Sequence, residues 1–301
     1  MKIIVLGANG FIGSNALSYF REKYPETYGC DIYPPGNYDD RFFILDGAHP
    51  QFDKLFLQNS FDVCINASGS GSIAYSKENP DEDYRLNAKN VFDILNSISN
   101  FNSRCSFLNF SSAAVYGNPV EVPLSEKSKT KPVSPHGFHK LISEQICAEY
   151  YHLKKIKTCS MRVFSTFGQG QRKDLFWDIY EKSKNDEAVV LPGTGEETID
   201  LIHCHDLMTA IECIIENSKF ESDIVNVASG KAVSIKKAAE EFLQALHIEK
   251  GVSFTGKVKE GDPIGLEADI TKLKSYGFNP SMTFEDGLES YSRWIQPQEI
   301  L

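Results

Sequence analysis

The chain has 301 residues, of which 41% are hydrophobic, and a formal net charge of −10 at pH 7. This length allows one large core or two modest ones, and no apolar stretch approaches the roughly 20 residues needed to cross a bilayer. The negative charge disfavours binding to nucleic acid and to acidic lipid. We therefore expect neither a membrane nor nucleic acid as a partner.

The first residues and the cysteines indicate the compartment. Residues 1–6 lead directly into a glycine-rich loop and lack the layout of a signal peptide. The seven cysteines are scattered without a C-x-x-C pair, mostly inside apolar runs, which is typical of reduced, buried thiols. We expect a cytoplasmic protein without disulfide bonds.

Short β-rich runs alternate with helix-length segments along the first half of the chain. The predicted strands are residues 2–6, 27–30, 42–45, 63–67, 106–110 and 158–163. Apolar residues at helical spacing are clearest over 86–98 and 142–149. This order predicts an α/β fold, a doubly wound parallel (Rossmann) sheet with helices on both faces.

Beyond about residue 165 the order of elements becomes less regular, with several Gly and Pro turns. We predict a cofactor-binding domain over residues 1–165, to which about 200–230 return. Residues 166–301 are expected to form mainly a smaller C-terminal substrate-binding lobe.

A glycine-rich loop connects the first predicted strand to the first predicted helix. Glycine is needed where the chain turns, where the backbone approaches a pyrophosphate and where the helix meets the strand. A carboxylate after the second strand would bind the adenosine ribose hydroxyls and favour NAD over NADP. The alternatives are a turn that serves packing only and a solvated loop Asp. The predicted cofactor-binding residues are Gly7, Asn9, Gly10, Phe11, Ile12, Gly13 and Asp31.

Two later motifs are Ser111-Ser112-Ala113-Ala114-Val115-Tyr116-Gly117 and Ser134-Pro135-His136-Gly137-Phe138-His139-Lys140. With the glycine loop they resemble the extended short-chain dehydrogenase/reductase family of NAD-dependent nucleotide-sugar epimerases and dehydratases, and the similarity covers nearly the whole chain. That family carries a catalytic Tyr four residues before the Lys, where this chain has His136. The resemblance implies that Ser112, His136 and Lys140 form the catalytic group and that Lys140 also binds the cofactor ribose.

The resemblance also implies further contacts. Asp46 matches the residue that holds the adenine, and Ala67 and Ser68 match residues on the nicotinamide side. On the substrate side, Ser165 replaces an Asn of relatives and Ile199 replaces an Arg that binds the nucleotide diphosphate. Arg172 or Lys173 could supply that charge, or both could be solvated loop cations. The predicted substrate-binding residues are Ser70, Ser112, Ser165 and Arg172.

His136 leaves three roles open: an acid/base that acts directly or through water, a binding residue, or loss of the usual activity. The turn after Ser112 carries Ala113 and Ala114 in place of the acidic pair that relatives use to eliminate water, which disfavours dehydration. What remains is simple hydride chemistry, and the preference for NAD favours 4-epimerisation of a nucleotide sugar over net reduction or oxidation. The alternatives are a keto-sugar nucleotide reductase or dehydrogenase, and a catalytically reduced protein that binds NAD and a sugar nucleotide.

The resemblance further implies a homodimer that pairs through a four-helix bundle of residues near 87–100 and 137–153. No metal is expected. Residues 203–206 contain metal-ligand side chains, but we interpret them as an extended strand, whose alternate residues face opposite sides.

Overall fold

The computed structural model describes residues 1–37, 39–185, 188–257 and 265–296. Its strands are β1 (Ile3–Leu6), β2 (Thr27–Asp31), β3 (Phe42–Ile44), β4 (Val63–Asn66), β5 (Ser106–Ser112), β6 (Thr158–Val163), β7 (Ser165–Phe167), β8 (Val189–Leu191), β9 (Thr198–His203), β10 (Glu221–Val227), β11 (Ala232–Ser234) and β12 (Val252–Phe254). All six predicted strands are present, with ends that differ by at most two residues.

The helices are α1 (Phe11–Lys23), α2 (Phe52–Gln58), α3 (Ile73–Glu78), α4 (Pro80–Tyr84), α5 (Asn90–Phe101), α6 (Pro135–Lys154), α7 (Asp174–Asn185), α8 (Cys204–Asn217), α9 (Ile235–Ala245), α10 (Thr271–Ser275) and α11 (Phe284–Ile295). A π-helix spans Arg85–Lys89 between α4 and α5, and a 3₁₀-helix spans Ala113–Tyr116 after β5. Neither of these two short elements was expected from the sequence.

The main sheet has seven parallel strands in the order β10-β6-β5-β4-β1-β2-β3. This confirms the predicted α/β Rossmann fold. The strand order reverses between β1 and β4, and ligands of such sheets bind in the crevice beyond the carboxyl ends of the strands at that point. The loops after β1 and β4 are therefore the expected position of a ligand-binding site.

Strand β1 shows how the sequence builds two layers of core. Ile3 and Val5 belong to one apolar cluster, whereas Ile4 and Leu6 belong to another. Successive side chains of a strand face opposite sides, so both faces of the sheet are covered. The continuous apolar run that predicts β1 is thus explained by burial on both sides.

A third apolar cluster draws its members from residues 167–295, chiefly α7, α9 and α11. Strands β7, β9 and β11 form a small second sheet, and β8 pairs with β12. Strand β10, in contrast, lies in the main sheet beside β6. The later elements therefore form a second apolar core, while β10 returns to the main sheet.

Candidate active site

The glycine loop lies at the carboxyl end of β1. Gly7 has φ +76°, which favours glycine, and a β-carbon on Gly13 would lie 1.9 Å from the Gly7 carbonyl oxygen. Gly10 is the N-cap residue that precedes α1, and it has no side chain to cap the helix. The backbone can therefore approach a pyrophosphate closely, and the first amides of α1 point towards it. These residues fit the dinucleotide that the sequence predicts.

Two of the predicted cofactor-binding residues, Asp31 and Asp46, are carboxylates at or just after the ends of β2 and β3. One oxygen of Asp31 accepts from the Asn9 amide at 2.8 Å and the other accepts from the Ile32 amide at 2.7 Å. Asp46 is exposed, and the amides of Ala48 and His49 lower the pKa of its carboxyl group. Each carboxylate is held by backbone amides and keeps further lone pairs for ligand hydroxyl or amino groups.

The loop after β4 packs against the glycine loop. A β-carbon on Gly7 would lie 2.7 Å from the Ala67 carbonyl oxygen and 2.8 Å from Cα of Ser68. The Ser68 hydroxyl donates to Oδ1 of Asn66 at 2.5 Å, which fixes the turn. Ala67 and Ser68 thus lie at the strand-order reversal, beside the predicted pyrophosphate site.

Ser112 is the last residue of β5, and its Oγ accepts from the Ala114 amide at 3.1 Å. This bond begins the 3₁₀-helix. The next two residues, Ala113 and Ala114, are buried. Because both are alanine, the turn presents no carboxyl group that could protonate a leaving group. Tyr116 is buried and bonds to the Ser125 carbonyl and to Asn226, which makes it part of the packing.

Helix α6 begins at Pro135, with the Ser134 hydroxyl accepting from the Gly137 amide at 3.2 Å. A β-carbon on Gly137 would lie 2.6 Å from the Ala114 carbonyl oxygen, so the first turn of α6 packs closely on the turn that follows Ser112. This close approach brings the second and third motifs together.

Lys140 lies one turn further along α6 and is buried. Its ammonium donates to the Phe110 carbonyl at 2.7 Å. Burial lowers the pKa of Lys140 to about 8, although the carboxylate of Asp83 opposes this. The amine is therefore held at the carboxyl end of β5, on the same helix face as His136.

The His136 side chain is 4% exposed. Its backbone amide donates to the Ser76 hydroxyl at 3.2 Å, and its Nδ1 has no hydrogen-bond partner among the described residues. Burial lowers the pKa of the imidazole, Lys140 lowers it further, and Asp83 partly opposes both. A neutral imidazole at physiological pH can accept a proton.

Asp83 was not identified from the sequence, yet its carboxylate is fully buried in this cluster. One oxygen accepts from Nδ1 of His139 at 2.7 Å and the other from Nδ2 of Asn87 at 2.9 Å. Burial would raise the pKa of Asp83, but His136, His139 and Asn87 together hold it below its usual value. The site therefore contains an anion beside the histidine that replaces the tyrosine.

The two cations considered for substrate binding, Arg172 and Lys173, have different surroundings. The Arg172 guanidinium lies over two indole rings, 5.9 Å from the centroid of Trp177 and 5.7 Å from that of Trp294. The Lys173 ammonium instead lies 3.9 Å from the position of a β-carbon on Gly71, in the loop after β4. The structure thus brings the Lys173 ammonium beside that loop.

The two substrate-side serines occupy different elements. Ser70 lies in the loop after β4, where its hydroxyl accepts from the Ser72 amide at 3.3 Å. Ser165 begins β7 and is partly buried. Ser70 therefore shares its loop with Gly71, close to the ammonium of Lys173.

The metal-ligand side chains of residues 203–206 are not on one strand, so that interpretation was wrong. Strand β9 ends at His203 and α8 begins at Cys204, with Nδ1 of His203 accepting from the His205 amide at 3.2 Å. Among the described residues no group of three or more His, Cys, Asp and Glu side chains is placed to hold a metal. Within the same residues, every helix is too short or too polar to span a membrane.

Known proteins resemble this chain along its whole length. A putative UDP-glucose 4-epimerase of Methanocaldococcus jannaschii is 23% identical over 303 residues, which cover 98% of each chain. A UDP-glucuronic acid 4-epimerase of Bacillus cereus, solved with UDP-glucuronic acid and NAD, superposes with a TM-score of 0.88 at 22% identity and covers 99% of this chain and 100% of that one.

A UDP-N-acetylglucosamine 4-epimerase of Methanobrevibacter ruminantium also superposes with a TM-score of 0.88 at 22% identity, covering 99% of this chain and 98% of that one. The family model described as NAD dependent epimerase/dehydratase matches residues 3–228. With the glycine loop, the strand order and the α6 motif, this match shows that the chain belongs to the NAD dependent epimerase/dehydratase family.

Proposed function

We propose that this protein interconverts C4 epimers of a UDP-sugar, with NAD as cofactor and with His136 as the acid/base. The observation that carries the proposal is the placement of His136 and Lys140 on one buried face of α6, against the turn that follows Ser112. UDP-sugar 4-epimerases recur among the similar proteins, and the absence of a carboxylate at residues 113 and 114 argues against dehydration.

In the proposed reaction the bound NAD supplies a reversible hydride acceptor. The Ser112 hydroxyl and the His136 imidazole hold the C4 hydroxyl of the sugar, directly or through one water. His136 accepts the hydroxyl proton as the carbonyl forms at C4 and returns it after the keto-sugar has presented its other face. The Lys140 ammonium favours the neutral form of His136 before the reaction and binds the cofactor ribose.

The charges near Asp31 support NAD rather than NADP. A 2′-phosphate would meet the Asp31 carboxylate, and nearby guanidinium groups are engaged elsewhere. Arg21 pairs with Asp39 at 2.6 Å, and Arg41 donates to the Pro25 carbonyl. We therefore expect tight binding of NAD and weak binding of NADP, which titration of cofactor-stripped protein will compare.

In the decisive experiment, purified protein is incubated separately with UDP-glucose, UDP-glucuronic acid and UDP-N-acetylglucosamine, and the formation of C4 epimers is followed by NMR. We expect one of the three to epimerise without net consumption of NAD, and His136→Ala to lower kcat by at least about 10² because the proton acceptor is lost. His152→Ala, an exposed histidine at the far end of α6, is the matched control.

Each other outcome contradicts the proposal in its own way. Stoichiometric consumption of NAD(P)H with a keto-sugar nucleotide would indicate a reductase. Binding of UDP-sugars without turnover would indicate a protein that has lost the family's activity. Full activity in His136→Ala would remove the imidazole from the mechanism.

We also propose that the protein is a homodimer that pairs through α5 and α6. Phe92 on α5 is 39% exposed, and its ring packs edge-on against Tyr150 of α6 with centroids 5.8 Å apart. Leu153, near the end of α6, is 73% exposed. We expect Phe92→Glu to give monomers in light scattering after gel filtration, whereas Leu57→Glu, at an exposed leucine of α2, keeps the dimer.

We further propose that the protein resides in a reducing compartment, the cytoplasm. All seven cysteines are free thiols and six of them are buried. Free buried thiols persist where glutathione and thioredoxin keep cysteine reduced.

A further inference from the structure

The buried carboxylate of Asp83 lies between two histidines of α6. It is held at Oδ2 by His139 and at Oδ1 by Asn87. Its Oδ1 is also 3.8 Å from Nδ1 of His136. That nitrogen is buried and has no hydrogen-bond partner within the described part of the chain.

Both Oδ1 of Asp83 and Nδ1 of His136 could form one more hydrogen bond than they form here. Each carboxylate oxygen can accept two hydrogen bonds, so Oδ1 keeps one lone pair after the bond from Asn87. A buried ring nitrogen without a partner costs free energy, and the second torsion of a histidine side chain is soft. Closing the 3.8 Å separation to hydrogen-bond distance needs a relative shift of roughly 1 Å between the two side chains, and catalytic hydrogen bonds often tighten only when ligands bind.

We propose that Asp83 is a positioning residue that keeps the proton of neutral His136 on Nδ1, so that Nε2 is the proton acceptor, and that it stabilises the imidazolium formed during turnover. This inference rests on the proposed role of His136 as the acid/base. It explains how an imidazole can work where relatives carry a phenol, because orientation by a carboxylate is the device that makes histidine a base in Ser-His-Asp sites.

The surroundings of His136 support this assignment. The charged and titratable groups that shift the pKa of His136 most are Asp83 from α4 and His139 and Lys140 from α6. The hydroxyl of Ser76, from α3, accepts from its backbone amide and not from its ring. Asp83 is thus the one anion of this set, and it faces Nδ1.

The first test reads the tautomer directly. Nitrogen-15 NMR of wild-type protein with labelled histidine and bound NAD distinguishes protonated Nδ1 from protonated Nε2, and His136→Gln identifies the signal of His136 among the seven histidines. We expect neutral His136 to carry its proton on Nδ1. A proton on Nε2 would overturn the proposal whether or not the protein proves to be an epimerase, because this measurement needs no turnover.

The second test is kinetic and uses Asp83→Asn. Loss of the orienting carboxylate costs about 10⁴ in kcat in a Ser-His-Asp site. Because the separation here is longer, we expect a loss of about 10², with KM for the UDP-sugar changed less than about threefold. Without the carboxylate the pKa of His136 falls further, so the acid limb of the kcat/KM profile moves to lower pH.

The control is His139→Gln, which keeps a donor for Asp83 and leaves the pair of Asp83 and His136 intact. We expect its acid limb to stay in place or move slightly upward. A purely structural role for Asp83 predicts that both variants lose thermal stability and neither shifts the acid limb downward, and that result would overturn the proposal. The wild-type NMR measurement decides the question if Asp83→Asn fails to fold.

Discussion

A buried ion pair between Glu144 of α6 and Arg162 of β6 allows a stringent test of what holds α6 in place. Nε and Nη2 of Arg162 donate to the two oxygens of Glu144 at 2.9 Å and 2.8 Å. The Ser111 hydroxyl also donates to Glu144, at 2.5 Å. The side chains are only 6% and 5% exposed. Glu144 is one turn beyond Lys140, so the pair holds the same helix face that carries the proposed chemistry.

Glu144→Gln leaves the Arg162 guanidinium buried without its counter-charge. Removing one partner of a buried pair costs about 3–5 kcal/mol, whereas replacing both partners by apolar groups of similar volume is often neutral. Unfolding entropy is about 2.1 cal/mol/K per residue, so in a chain of 301 residues 1 kcal/mol shifts Tm by roughly 1.6 °C. We therefore expect Glu144→Gln to lower Tm by about 5–8 °C, and Glu144→Leu with Arg162→Met to recover most of that loss.

The assay is equilibrium unfolding in urea together with thermal melting, both at one fixed NAD concentration because bound cofactor stabilises the folded state. Glu149→Gln, at an exposed position of α6, is the matched control and should stay within about 0.5 kcal/mol of wild type. If Glu144→Gln costs less than about 1 kcal/mol, or the double variant is no more stable than the single one, the ion pair does not hold α6 against β6.

Three further outcomes are expected. Gly13→Ala should weaken NAD binding by at least about tenfold in calorimetric titration, because its β-carbon would lie 1.9 Å from the Gly7 carbonyl oxygen; Gly36→Ala, with nothing within 4 Å, should bind normally. Lys140→Met tests the pKa of Lys140, which burial lowers from 10.5 to about 8. Between these values the unfolded chain binds the proton more tightly, so from pH 8 to 10.5 wild type should gain up to about 3 kcal/mol relative to the variant in urea unfolding. Equal pH dependence of the two proteins would contradict this. Lys173→Ala should raise KM for the UDP-sugar by about tenfold with little change in kcat, since it removes a cation beside the loop after β4, and an equal or larger effect of Arg172→Ala would assign that role to Arg172.

The fold and the cofactor loop could be predicted because local signals agree there. Apolar runs such as β1 reflect burial on both faces, and the spacing of Gly10 and Gly13 from Gly7 reflects contacts with the Gly7 carbonyl oxygen, within a few residues. The pairing of Ser112 with the start of α6 could be inferred from family resemblance, and the close approach of Gly137 to Ala114 is consistent with it.

The position of Asp83 could not be predicted, because Asp81, Glu82 and Asp83 together resemble the solvated acidic first turn of a helix. Only the packing of α6 against α4 and α3 buries one of the three. Arg172 and Lys173 show the same limit on a smaller scale. They are neighbours in one loop, and long-range contacts place one over Trp294 and the other near Gly71.

The π-helix at Arg85–Lys89 determines which way Asp83 faces. Helix α4, the π-helix and α5 follow one another without a break from Pro80 to Phe101, and a π-turn holds one more residue than an α-turn. Deleting one residue there would restore a regular α-helix and rotate everything before it by roughly 100° relative to α5. Asp83 would leave the histidines while α5 kept its packing. The one extra residue of the π-helix is therefore what lets a single continuous helix present an acid to α6 at one end and pack in the core at the other.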